Sequence, residues 1–426
     1  MSVAINANES AQAPVARGSA APIPVALIGY GSSARTFHLP LILSSPHDFT
    51  LHTIQQRPGS KSGPDASARF PDVKIAPTFE SVFDHLPKGS LVVITTANAT
   101  HRDFAVHALD KGCHVVIEKP AALTNEEAES IKEAERRNGV VCTAYQNRRL
   151  DGDYLTLLSL LRPSSSDHPS PIGAPVSVES RFDRFRPLRK GGWREEKGWE
   201  EGGGVLWDLG AHLVDQALDA FGVPERITAF ATSGRDASHN VEDDFLVHFH
   251  YPPSAPLPPD SIAPPPGTKL GGLRVTLSAS CIASKTDEEQ IRWNVCGTRG
   301  SYEKRGLDPQ ENQLKAGSTP LDASFGSYGD SDPLSIRLGR LTTSAAPAAV
   351  PSAGANGATP VQPLLTAQDI PTLPGTYGCY YQNVARAIRG EEKVFVSTDD
   401  IVRNTKALLL ARKSVQEWRS IRWDEA

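Results

Sequence analysis

The apolar run VALIG (25–29) passes straight into YGSSA (30–34), and this junction restricts the fold more than any other stretch. The combined GYGSSA has the form GxGxxA. Its first glycine permits a tight strand-to-helix turn, its second lets backbone approach a pyrophosphate, and the alanine keeps helix and strand close. A helix starting there offers free N–H groups and a positive dipole end to phosphates. The motif alone is weak, so its context decides. Apolar runs LHTIQQ (51–56), VKIA (73–76), SLVVITT (90–96), HVVIEK (114–119) and VVCTAY (140–145) follow. Helix-like segments lie between them: ARTFHLPLILSS, FESVFDHL, THRDFAVHALDKG and NEEAESIKEAERRNG, the last preceded by Thr124 as a natural N-cap. Two of them end in glycine, as helix C-caps do. Strands and helices alternating at this spacing predict parallel βαβ units in a doubly wound sheet.

The rhythm changes after residue 147. A helical stretch, DYLTLLSLL, leads into a Ser/Pro loop (163–175) and then into PVSVESRFD, RITAFATSG, DDFLVHFHY, LRVTLSASCI and IRWNVCGTRGSYEK. Alternating apolar and polar residues in these segments predict an antiparallel sheet with one covered face. A last helix is expected over roughly 399–418. The fold class read from the sequence is α/β: an N-terminal Rossmann sheet (23–146), then a C-terminal α+β domain (147–426) with an open, mostly antiparallel sheet. Residues 1–22 read as a disordered tail. Pro/Ala-rich stretches near 252–270 and 342–363 read as surface insertions too poor in large apolar residues to build a core.

Composition narrows the function. A formal charge of −5 over 426 residues and no dense basic cluster argue against nucleic acid. No apolar run is long enough to span a bilayer. Five scattered cysteines form no CxxC pair, which predicts no disulfide framework and no metal site. The start of the chain lacks the pattern of a secretory signal. A cytoplasmic protein acting on a small molecule is the expectation.

Three places carry candidate chemistry. The second strand ends in Gln55-Gln56-Arg57, without the acid that usually meets the ribose 2′-hydroxyl of NAD. Arg57 suits a 2′-phosphate, which favours NADP over NAD. The fourth and fifth strands end in Thr95-Thr96-Ala97-Asn98-Ala99-Thr100-His101 and Glu118-Lys119-Pro120, at the strand ends where open α/β sheets bind ligands. Spacing alone leaves Lys119 as either an electrostatic stabiliser of an alkoxide or a surface lysine at a strand end. Third, GGGVLWDLGAHLVD (202–215) puts Asp208 and His212 four residues apart on one helix, behind glycines able to approach a ligand. Taken by themselves, they are either an acid/base pair or a hydrogen-bonded core pair.

GYGSSA, TTANATH, VVIEKPAAL and GGGVLWDLGAHLVD, in this order, resemble the glucose–fructose oxidoreductase / inositol dehydrogenase / rhizopine catabolism (Gfo/Idh/MocA) family. YQNRRLDGDYLTL (145–157) and GTRGSYEKRGLDPQENQLKAG (297–317) are similar to the branch with NADP-dependent scyllo-inositol dehydrogenase. The resemblance implies an oxidoreductase moving hydride to or from a secondary hydroxyl of a cyclic polyol or sugar. It implies NADP as cofactor, with NAD as the alternative, and a homo-dimer or tetramer formed through the C-terminal sheet. Lys119, Asp208 and His212 match the catalytic residues. Gly29, Gly31, Ser32, Ser33, Ala34, Arg57, Thr95, Thr96, Asn98, His101, Glu118 and Lys119 are the expected cofactor residues. Asn147, Arg149, Trp193, Arg194 and Tyr380 are candidates to touch substrate. Trp207 flanks the cofactor or packs in the core, and Asp215 and His38 are expected to be structural. Some members of the superfamily sense NAD(P) without catalysis, and a non-catalytic regulator is the rival reading.

Overall fold

A computed structural model describes residues 21–60, 63–163, 169–255, 267–344 and 364–425. The expected tail, apart from its last two residues, and most of both insertions lie outside the described residues. The first half is a six-stranded parallel sheet: β1 (Ile23–Ile28), β2 (Phe49–Gln55), β3 (Lys74–Ala76), β4 (Leu91–Ile94), β5 (His114–Ile117) and β6 (Cys142–Ala144). Its order is β3-β2-β1-β4-β5-β6, all pairs parallel. The order reverses between β1 and β4, so a crevice opens at their carboxyl ends, next to the GYGSSA turn. β1, β4 and β5 are buried on both faces, which explains their continuous apolar runs. Helix Asn125–Asn138 starts where Thr124 accepts a hydrogen bond from the Glu127 N–H and ends at left-handed Gly139.

The second half is a nine-stranded sheet: β7 (Pro175–Arg181), β8 (Arg226–Thr232), β9 (Asp244–His250), β10 (Arg274–Ser280), β11 (Ile291–Gly297), β12 (Gly300–Arg305), β13 (Leu338–Ser344), β14 (Leu365–Pro371) and β15 (Ile421–Arg422). Its order is β14-β13-β12-β11-β7-β10-β9-β8-β15. Every pair is antiparallel except β7 with β10. One face packs on helices Gly152–Leu161, Ala211–Phe221 and Thr398–Glu417 through Trp207, Trp293, Phe245 and Phe249.

Three expectations change. FESVFDHL is not a helix but a single 3-10 turn at Glu80–Val82, where Phe79 and Phe83 already reach the Phe104 and His107 rings. The 342–363 stretch is not wholly an insertion: residues 342–344 complete β13, and β14 pairs with it beyond. The sequence reading also missed helix Gly378–Ile388. Its Tyr380, Tyr381 and Val384 pack with Leu27, Phe49 and Tyr145, so the C-terminal part of the chain helps close the N-terminal core.

Candidate active site

At the turn after β1, Gly29 has φ +86°, and a Cβ there would lie 3.3 Å from the Thr95 carbonyl oxygen. Only glycine tolerates both constraints. Thr95 Oγ1 donates to the carbonyls of Ile28 or Gly29, at 2.9 and 3.1 Å, and locks β4 against this turn. A Cβ at Gly31 would point into open space, so the backbone there is bare toward the crevice. Ser32 is exposed and Ser33 half-buried beside it, while Ala34 is fully buried against the sheet. A dinucleotide phosphate fits this cradle. Arg57 is exposed just past the end of β2.

Ser33 Oγ donates a short hydrogen bond to Glu118, and His38 Nε2 lies 3.1 Å from the same carboxylate. Tyr381 Oη meets His38 Nδ1 at 2.7 Å. Burial opposes ionisation of Glu118, but His38, Lys119 and Ser33 outweigh it and bring its pKa down to about 2. Glu118 is therefore an anchored anion that ties the cradle helix to β5. His38 bridges these elements, as its expected structural role required.

Lys119 follows at the end of β5, and its bond to Pro120 is cis. Its ammonium donates to the Asp208 backbone oxygen at 2.6 Å and to Oδ1 at 2.9 Å. Arg194 Nε is 3.4 Å from the same Oδ1. Asp208 sits on a π-helical turn, Leu206–Gly210, that runs into helix Ala211–Phe221 carrying His212 one turn on. Such π turns recur at functional sites. Burial alone would raise the Asp208 pKa. Lys119, Arg194 and Arg184 outweigh it and hold the carboxyl well below the usual range. His212 is 6% exposed, and its buried Nδ1 has no hydrogen-bond partner among the described residues. Burial, then the charges of Lys119 and Arg148, push its pKa well below 6.5, with Asp208 opposing more weakly. The imidazole is thus neutral at pH 7.

Asn98, Lys119, Pro120, Trp193, Arg194, Gly202, Trp207 and Asp208 line one cleft between the two halves. Gly202 lines the cleft, but Gly203 and Gly204 make room for protein atoms. A Cβ on Gly203 would overlap the Lys197 carbonyl oxygen, and one on Gly204 would overlap Glu242. They are small because the Lys197 carbonyl and Glu242 press on them. Thr96 meets Thr100 Oγ1 at 2.6 Å, and Asn98 Nδ2 donates to the Gly202 carbonyl at 3.3 Å. His101 is fully buried, bracketed by the carbonyls of Pro120 at 2.8 Å and Thr96 at 3.1 Å. It clamps the two strand ends rather than lining the cleft.

Other candidates are placed elsewhere. Tyr380 is sealed in the core and donates to the Ala144 carbonyl. Arg149 is buried in a fork on Asp215, at 2.7 and 2.8 Å, and not on Asp151 or Asp153. Asn147 is buried in the 3-10 turn Asn147–Leu150 between the sheets. Trp207 packs on Trp199 with ring centroids 4.4 Å apart, although its edge reaches the cleft. Sequence reasoning missed Arg148 and Arg184, whose guanidinium carbons lie 4.5 and 4.9 Å over the Phe182 ring. For Arg184 the visible signal was the basic run SRFDRFRPLRK, which begins in the last two residues of β7.

A Rossmann sheet whose strand ends meet an Asp/His helix from a second domain defines an oxidoreductase with an NAD-binding fold. Residues 23–146 match the oxidoreductase family NAD-binding Rossmann fold, and residues 170–303 match the GFO/IDH/MocA C-terminal domain. The chain belongs to the Gfo/Idh/MocA oxidoreductase family. It is 35% identical over 307 residues to an uncharacterized oxidoreductase of Schizosaccharomyces pombe, covering 72% of this chain and 76% of that one. It is 28% identical to scyllo-inositol 2-dehydrogenase (NADP(+)) IolW of Bacillus subtilis, covering 94% of this chain and 95% of that one. A crystal structure of an oxidoreductase from Bacillus cereus superposes with TM-score 0.72 at 25% identity, covering 94% of this chain and 99% of that one.

Proposed function

We propose that the protein is an NADP(H)-dependent dehydrogenase acting on a secondary hydroxyl, or the matching ketone, of a cyclic polyol or sugar. The observation that carries this reading is the Lys119 ammonium 2.9 Å from Asp208, with His212 one helical turn further on. An amine and a carboxylate then face one cleft at the carboxyl end of a Rossmann sheet, with a neutral imidazole one helical turn behind them. The name of the Bacillus subtilis relative supports both the polyol and NADP.

Gly29, Gly31, Ser32, Ser33 and Ala34 would hold the pyrophosphate, and Arg57 the 2′-phosphate. Thr95, Thr96, Asn98, Glu118 and Lys119 would line the nicotinamide end. When bound, the nicotinamide supplies the hydride acceptor or donor. Lys119 holds its ammonium where it polarises the substrate oxygen and stabilises negative charge there. His212 takes the hydroxyl proton in oxidation and returns it in reduction. Asp208 holds Lys119 in place, and Trp193 with Arg194 covers the cleft. Self-association through the free face of the nine-stranded sheet, where Phe230 is 50% exposed, and a cytoplasmic location belong to the same reading.

The test is NADPH oxidation with a panel of inososes and keto-sugars. Turnover on at least one ring ketone is expected. Tight NADPH binding with no turnover on any member would instead support a nucleotide-sensing regulator.

A further inference from the structure

Around the cleft, the carboxylates are already committed to particular cations. Asp208 meets Lys119 and Arg194. Glu311 meets Arg148 and Lys315, and Asp151 meets Arg148. Glu195 and Asp243 meet Arg235. Arg184 is left over. It is half-buried, and no carboxylate or hydrogen-bond acceptor lies within reach of its guanidinium among the described residues. Its backbone is nevertheless fixed: its N–H donates to the Ser280 carbonyl at 2.8 Å and its carbonyl accepts from Ala283 at 3.2 Å. Its guanidinium carbon sits 4.9 Å over the Phe182 ring, with that of Arg148 4.5 Å from the same ring.

Arg148 has Asp151 and Glu311 as its anions, but Arg184 has none, and a part-buried guanidinium without an anion is costly unless something brings negative charge. Arg184 lies close enough to Asp208, Glu311 and Arg148 to feel their charges. His212 senses both Arg148 and Arg184. Arg184 therefore stands near the Lys119–Asp208 pair, not on an outer face.

Building on the sugar-oxidoreductase reading above, we propose that the natural substrate carries an anionic group, a carboxylate or a phosphate, held by Arg184 at the cleft. A guanidinium offers a planar fork of donors that suits either group. A neutral polyol would leave this cation without a partner.

The experiment uses the full chain loaded with NADP+ and compares D-glucose, D-glucuronate and D-glucose 6-phosphate as binding probes by calorimetry. Wild type and the Arg184→Gln and Arg184→Lys variants are measured in parallel. The reading expects one acid to bind more tightly than glucose, and the probe that gains identifies carboxylate or phosphate. Arg184→Gln should lower the acid-to-glucose affinity ratio by about 10- to 100-fold, the worth of a charge-assisted hydrogen bond. Arg184→Lys should recover part of it. Equal affinity for all three probes, or equal losses for acid and glucose in Arg184→Gln, would overturn the inference. The hydride-transfer reading is tested apart, by turnover on ring ketones. Charge-dependent binding without turnover would sink that reading and leave this one standing.

Discussion

Replacing Lys119 by alanine removes an ammonium that sits 2.6 and 2.9 Å from two Asp208 oxygens. Both side chains are largely enclosed, 12% and 23% exposed, so water screens the pair little. Two consequences follow. The first is lost stabilisation of charge on the substrate oxygen. Removal of one preorganised donor of this kind costs about 2.7–4 kcal/mol, or roughly 100- to 1000-fold in kcat. The second concerns His212. After burial, Lys119 is the largest influence holding its pKa down, so the variant's imidazole titrates at higher pH. Oxidation needs neutral His212, and the rate is lost as pH falls through its pKa. The acid limb of kcat/KM should therefore move upward in Lys119→Ala. The assay is steady-state NADPH formation with a polyol substrate over a pH series, with circular dichroism to confirm the fold. A variant with unchanged kcat and an unmoved acid limb would refute the role of Lys119.

Three further outcomes are expected. Arg57→Asp should raise KM for NADPH about 10- to 100-fold and spare NADH, because a carboxylate repels a 2′-phosphate; equal effects on both cofactors would remove Arg57 from recognition. Glu242 is buried against Gly204, and burial pushes its pKa up to about 7, its own and the Leu206 backbone N–H groups opposing. A raised carboxyl contributes its stability below its unfolded pKa and loses it as pH rises through about 7. Glu242→Gln should thus raise the unfolding free energy at pH 8 by about 2–3 kcal/mol and change little at pH 4, read by urea denaturation. Gly203→Ala would set a methyl 2.7 Å from the Lys197 carbonyl carbon, so a loss of about 1–3 kcal/mol is expected in the same assay.

The dinucleotide half was legible because buried parallel strands announce themselves as apolar runs and GYGSSA stands at their first turn. Lys119, Asp208 and His212 were legible as residue types in spaced motifs. Their convergence was implied only by the family resemblance, because the 119–208 contact spans two domains and no local spacing reports it. The failures have separate causes. FESVFDHL has helical spacing, but Pro77 and Pro87 bound it closely and its phenylalanines are buried by one turn. Helix Gly378–Ile388 opens with glycine, cysteine and two tyrosines, which advertise a helix weakly. Tyr380 looked like a cleft residue because its hydroxyl is polar, yet a buried tyrosine needs only one acceptor, here Ala144. Arg149 showed no sign of its partner, since Asp215 lies 66 positions away. The glycines 202–204 suggested ligand approach, but the atoms they make room for belong to the protein.

The most direct test of the site is to follow the label from NADPH deuterated at its transferable position into a ring ketone reduced by the protein. NMR of the product should show deuterium on the new carbinol carbon, with the label absent when Lys119 and His212 are both replaced by alanine. Product that carries no deuterium, or full labelling by the doubly substituted protein, would contradict the account.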